Sequence, residues 1–139
     1  MYQLVYVSAA THEFKGAELA DLLRVARENN GRDGVTGMLL YHGGSFFQVL
    51  EGGRDKVHEI FRRVEKDPRH QKVTVLHEEE LVEERDFPDW SMAWCEISDA
   101  ALREVDGFND LMVNRRPAQA FPAPSTVQQM VLTFREYAA

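Results

Sequence analysis

Two short apolar runs, residues 34–41 and 45–52, flank His42-Gly43-Gly44 and constrain this chain more than any other stretch. β-branched, aromatic and aliphatic residues on either side of a glycine pair predict two antiparallel strands joined by a tight turn. Glycine enters the positive-φ backbone that such turns need. The second run carries an amide where an apolar residue is expected. Side chains alternate every two residues along a strand, so Phe46, Gln48 and Leu50 share one face. If that face is covered, Gln48 needs a hydrogen-bond partner, since a buried amide without one costs about 1–3 kcal/mol. The simpler alternative is a glutamine on the wet face of a half-exposed strand.

Residues 2–8 alternate as a first strand, with Leu4, Tyr6 and Ser8 on one face and Gln3, Val5 and Val7 on the other. Apolar residues on both faces make it a central strand. A polar loop leads to a helix over residues 16–29, whose stripe is Leu19, Leu22, Leu23 and Ala26. Asn29 and Asn30 end that helix, and Gly31 is expected as its C′ residue. Asn30 falls four residues beyond Ala26, on the buried side, so its amide either caps the helix or faces an interior cleft.

A second helix over residues 54–66 buries Val57, Ile60, Phe61 and Val64. It leaves Arg63 at the stripe edge, as a snorkelling surface residue or a donor at a pocket rim. Pro68 stops that helix by disfavouring helical geometry in the residue before it. Residues 73–76 read as a fourth strand trailing into an acidic run. Residues 91–97 read as a fifth, with Met92 and Trp94 on one face and Ala93, Cys95 and Ile97 on the other.

The order β-α-β-β-α-β-β predicts an α+β, ferredoxin-like sheet with both helices on one face. The other face then needs a cover, and the tail offers two helices. One spans residues 100–114, with Leu102, Val105, Phe108, Leu111 and Met112 at helical spacing. The other starts near Ser125, a candidate N-cap, and carries Val127, Met130, Val131 and Phe134 after a proline-containing connector. These helices either lie across the free sheet face or join a second subunit.

With 139 residues, one domain with one core and an appendage is expected. A formal charge of −7 argues against nucleic acid as a direct partner, because phosphate binding needs a concentrated basic surface. No apolar run approaches the roughly 20 residues of a spanning helix, so no membrane partner is expected. Nor does the start of the chain read as an export signal. The single cysteine, Cys95, excludes an internal disulfide and is expected as a small buried hydrophobe in a cytoplasmic protein.

The usual phosphate-loop, dinucleotide and metal-binding motifs are absent, and the five histidines are scattered. What the residues do provide is a polar set aimed into an otherwise apolar groove: Tyr6 on the first strand, Asn30 at a helix end and Gln48 on the third strand. In the expected sheet the first and third strands are central neighbours, which brings a phenol and an amide within reach. Each amide offers a donor and an acceptor. Such edges suit a flat heteroaromatic ring with adjacent carbonyl and N–H groups, held between two helices.

A series of segments then resembles one family. They are Leu4-Val5-Tyr6-Val7-Ser8, Ala26-Arg27-Glu28-Asn29-Asn30, Gly34-Val35-Thr36-Gly37, Phe46-Phe47-Gln48-Val49-Leu50-Glu51-Gly52, Asp67-Pro68-Arg69-His70 and Arg85-Asp86-Phe87-Pro88-Asp89-Trp90-Ser91-Met92. In this order they resemble the BLUF domain, a small flavin-binding sensor of blue light. The resemblance implies a flavin-binding domain over residues 1–97 and a helical extension over residues 98–139. It implies FAD, FMN or riboflavin between the two helices, with Asn30 on the ring's polar edge and Gln48 bridging Tyr6 to the ring. Asn29 and Arg63 would lie near the pocket, and Asp67 and His70 at its rim.

The resemblance also implies a switch and no enzymatic turnover. Tyr6 would give up an electron and a proton through Gln48, whose amide is left rotated or tautomerised. Trp90 and Met92 are where the signal would leave, toward an unidentified downstream protein, from a homo-oligomer. The chain length matches a short stand-alone sensor. Two other classes fit the scaffold: a small ferredoxin-like enzyme, such as an acylphosphatase-like hydrolase or a monooxygenase, and a cofactor-free oligomeric interaction protein. The first would need a phosphate cradle or an oxidative pocket, and no glycine-rich cradle follows Ser8.

Overall fold

In the computed structural model, residues 1–12, 16–42, 44–80, 83–87, 91–94, 108–109 and 125–138 are described. The chain runs β1 (Tyr2–Ala10), α1 (Gly16–Arg32), β2 (Thr36–His42), β3 (Ser45–Gly52), α2 (Arg54–Lys66), β4 (His70–Glu79), β5 (Ser91–Trp94), β6 (Phe108–Asn109) and α3 (Thr126–Ala138). His42 pairs with Ser45 across the expected turn, and Gly44 takes φ +82° there.

The strands form one sheet in the order β4-β1-β3-β2-β5-β6. β1 is antiparallel to both β3 and β4, β2 is antiparallel to β3, and β2 is parallel to β5. This is the α+β ferredoxin-like arrangement that the element order predicts, with β1 and β3 side by side at the centre. β4 is longer than residues 73–76 because β1 pairs with it from Ala10↔His70 to Gln3↔Glu79, with two irregularities in register.

α1 ends later than its asparagines suggest. Asn29, Asn30 and Gly31 are all helical, and the turn closes at Gly34, whose φ is +69°. The Val35 N–H donates to the Asn30 carbonyl at 2.8 Å and the Gly34 N–H to the Gly31 carbonyl at 3.3 Å. That pair of bonds is a Schellman closure, in which the residue needing positive φ is Gly34 and not Gly31. The extra turn carries Asn30 inside the helix and leaves its side chain 3% exposed.

The two faces of the sheet have separate cores. Leu4, Tyr6, Leu39, Phe46 and Leu50 pack against Val57 and Ile60 of α2, with Leu22 and Ala26 of α1 beside them. On the other face Val5, Met38, Leu40, Phe47 and Val49 pack against Val127 and Val131 of α3. Burying each of these large side chains is worth about 1.5–3 kcal/mol. α3 therefore covers the face that the two-layer order leaves open. Its start is a reciprocal capping box: the Gln128 N–H donates to Ser125 Oγ at 3.1 Å, and the Ser125 N–H donates to Gln128 Oε1 at 3.0 Å.

The helix expected over residues 100–114 is corrected at its centre, where Phe108 and Asn109 form a short strand parallel to β5. Pairing to an available sheet edge overrides the helical spacing there. The rest of that segment, the proline-containing connector, Cys95, Ile97 and Trp90 lie outside the described residues. So do the side chains of Met92 and Phe134. Among the described residues no helix is long and apolar enough to cross a membrane.

Candidate functional site

Tyr6 and Gln48 are direct partners in the β1–β3 register, both pointing to the face that α1 and α2 cover. The phenol donates a hydrogen bond to Gln48 Oε1. Tyr6 is 1% and Gln48 6% exposed, so the amide predicted to need a partner has one. Burial, and secondarily the Asp67 carboxylate, push the Tyr6 phenol well above its ordinary value. Tyr6 therefore stays a donor throughout the neutral range. With its oxygen engaged by Tyr6, the Gln48 amide has its N–H donors to offer to the cleft.

That cleft, about 200 Å³, lies between α1 and α2 with Tyr6, Leu39 and Gln48 at its floor. Leu22, Val25 and Ala26 form one wall, and Ile60 and Val64 the other. Val25 is 37% exposed on a helix whose outer face is polar, because it borders this opening. All seven residues expected around the ring, Tyr6, Asn29, Asn30, Gln48, Arg63, Asp67 and His70, line this one cleft. An apolar slot with a few convergent amides at one edge fits a flat heteroaromatic ring.

The rim residues are held by neighbours. Asn29 Oδ1 accepts from Arg32 at 2.5 Å. Arg63 is half exposed and ion-paired to Asp33 and Glu59, each at 3.6 Å. Asp67 accepts from the Arg69 guanidinium at 2.7 Å and from its backbone N–H at 2.9 Å. Those hydrogen bonds, led by the guanidinium, hold the Asp67 carboxyl below its usual range. His70 Nδ1 lies 2.8 Å from Ser8 Oγ, and its ring packs against Phe46 at 4.7 Å. Burial first, and Arg69 after it, lower the His70 imidazole, with Asp67 opposing.

Sequence reasoning missed Arg69, which also lines the cleft. The available signal was its place between Asp67 and His70, where one tight turn brings all three to the rim. Among the described residues no cluster of three or more His, Cys, Asp or Glu side chains is placed to hold a metal ion.

Residues 1–93 match the family described as BLUF, sensors of blue-light using FAD. The photoactivated adenylate cyclase subunit beta of Euglena gracilis is 38% identical over 90 residues, which cover 64% of this chain and 10% of that protein. The blue light- and temperature-regulated antirepressor BluF of Escherichia coli (strain K12) is 31% identical over 103 residues, 74% of this chain and 25% of that protein. Among solved structures, the dark state of BlrB, a BLUF protein, is 39% identical with a TM-score of 0.61, covering 67% of this chain and 70% of that one. The chain thus spans about a tenth of the length of the cyclase subunit and a quarter of the antirepressor. A sequence match that runs from β1 into β5, around a cleft floored by a paired phenol and carboxamide, shows that this chain belongs to the BLUF family of blue-light sensors.

Proposed function

We propose that this chain is a blue-light photoreceptor module that binds a flavin between α1 and α2 and uses the Tyr6–Gln48 hydrogen bond as its switch. The observation that carries this reading is the enclosed phenol-to-amide bond at the floor of an apolar slot. FAD is the flavin that the family's description names, and FMN or riboflavin would meet the same floor. When bound, the flavin supplies a chromophore that blue light turns into a strong oxidant.

The chain's own residues do the rest. Asn30, fixed inside α1, offers a donor and an acceptor to the ring's polar edge, and Asn29, Arg63, Asp67 and His70 frame the opening. Tyr6 holds its proton at Oη until light demands it, and Gln48 Oε1 is the acceptor in line. Rotation of the Gln48 amide would exchange its oxygen and nitrogen, turning the group that faces Tyr6 from acceptor to donor and the group that faces the cleft the other way. Two discrete arrangements of one side chain make a switch with no net chemistry.

Residues 1–97 act as the sensor in this reading, and residues 98–139 as the extension that carries its state to a downstream protein. Trp90 and Met92, near the end of the sensor segment in sequence, are the residues through which the signal would leave, and assembly into a homo-oligomer gives that output a second copy to work against. The light-minus-dark absorption spectrum of freshly purified protein tests the reading. A small, reversible red shift of a flavin band is expected. Colourless protein that takes up no added flavin ends it.

A further inference from the structure

Three residues beyond Gln48 on β3, Glu51 turns to the opposite sheet face and is fully buried there. Its carboxylate accepts from the Phe87 N–H at 2.7 Å and from the Asp86 N–H at 2.8 Å. Gln3, its register partner on β1, donates to Asp86 Oδ2 at 2.7 Å, with a longer 3.5 Å contact to Glu51. Burial pushes the Glu51 carboxyl up, while the two backbone N–H groups and Arg85 pull it back. A carboxylate at this depth is costly unless hydrogen bonds compensate it, and here the donors come from the loop holding Arg85, Asp86 and Phe87.

That loop also grips the turn that closes α1. Arg85 donates to the Glu51 carbonyl at 2.8 Å, to Thr36 Oγ1 at 2.6 Å and to the Gly34 carbonyl at 3.0 Å. Gly34 is the residue that closes α1, four positions after Asn30. One short loop is therefore tied to β3 three residues from Gln48 and to the turn that closes α1 four residues after Asn30. From the loop the connection continues to the tail, because Gln128 Nε2 of α3 donates to the Asp86 carbonyl at 3.1 Å.

We propose that Glu51 is the positioning residue of an output clamp, in which the 83–87 loop joins the floor strand of the cleft to the turn that closes α1 and holds α3 through the Gln128–Asp86 bond, so that rearrangement of Gln48 loosens α3. This rests on the photoreceptor reading above and adds the path by which that site is heard on the far side of the sheet. The physical basis is continuity. Gln48 and Glu51 share a strand, Tyr6 and Gln3 share its partner, and every link from there to α3 is a hydrogen bond with a named donor and acceptor. The bistable element is the α3 N-terminus, held to the loop by that Gln128–Asp86 bond and to the sheet by apolar contact.

Gln128→Glu separates the clamp from the cap. A glutamate there still accepts from the Ser125 N–H, preserving the capping box, but has no N–H to give Asp86. Glu51→Gln, nearly isosteric, weakens the other end. Amide hydrogen exchange of α3, dark and illuminated, is read beside the flavin red shift. Wild type should show faster α3 exchange in light. Both variants should keep a full red shift yet start in the dark with α3 exchange raised about fivefold, the factor one neutral hydrogen bond is worth, and light should add nothing. Variants whose α3 responds to light as in wild type overturn the clamp. So does a wild type with a full red shift and unchanged α3 exchange, which leaves the photoreceptor reading standing. A wild type with no red shift at all removes both.

Discussion

Tyr6 and Gln48 stand opposite one another in the β1–β3 ladder, and the phenol donates to the amide oxygen with both side chains closed to solvent. Tyr6→Phe removes that donor and keeps the ring, including its edge contact with Phe61 at 5.5 Å. Stability should fall by about 1–3 kcal/mol, because the buried Gln48 oxygen loses its donor, and a flavin should still enter the slot. Light should then produce no red-shifted state, because no phenolic proton is available. A normal light-minus-dark spectrum in this variant would remove Tyr6 from its role.

Gln48→Ala truncates the other member of the pair. It leaves the buried Tyr6 hydroxyl without its acceptor, at a cost of about 1–3 kcal/mol, and a small void in the cleft floor. Flavin binding should weaken but persist, since the walls from α1 and α2 and the amide of Asn30 are untouched. The red shift should be absent. Denaturant melts give the first quantity and difference spectra the second, and a retained red shift would place the switch elsewhere.

Much of this was legible in the residues. Strand alternation separates Leu4, Tyr6 and Ser8 from Gln3, Val5 and Val7, and the two sets do lie on opposite faces. The second helix is found within its observed bounds because four apolar residues recur at helical spacing. The end of α1 was harder: two asparagines and a glycine imitate a cap, whereas the residue that satisfies the last carbonyls depends on backbone φ, which composition does not report. Glu51 was illegible for a different reason. An acidic residue ending a strand reads as surface, and its burial follows from a loop more than thirty residues later folding back to supply N–H donors.

Gly37 is a position where the resembling segment and the backbone agree on one residue. It lies at φ +154° in β2, and a Cβ built there would fall 1.8 Å from the Val49 carbonyl oxygen. That neighbour is backbone in a central strand, so it has nowhere to yield. Gly37→Ala should cost at least about 2–3 kcal/mol, from strain added to the clash. The loss should appear as a lower melting temperature and as weakened β2–β3 pairing in hydrogen exchange. Unchanged thermal stability would contradict the close approach.

His70 gives the site a dependence on acid. Its folded-state imidazole is lowered from the ordinary 6.5 by burial, with Arg69 adding and Asp67 opposing. The unfolded chain therefore binds the proton first as pH falls. Stability from keeping His70 neutral is fully present above about pH 6.5 and is lost as pH drops toward the folded value, by at most about 1.4 kcal/mol per pH unit. Glu51 works in the opposite sense: its raised carboxyl favours the folded state as pH falls through the range above 4.5. Comparing wild type with His70→Gln in urea melts between pH 7.5 and 5 cancels the Glu51 contribution, since the two positions lie on opposite faces of the sheet. The wild type should lose more stability than the variant across that interval. Equal losses would mean that His70 is as free to take up a proton in the folded chain as in the unfolded one, and that the Ser8 hydroxyl and the Phe46 ring do not shield it.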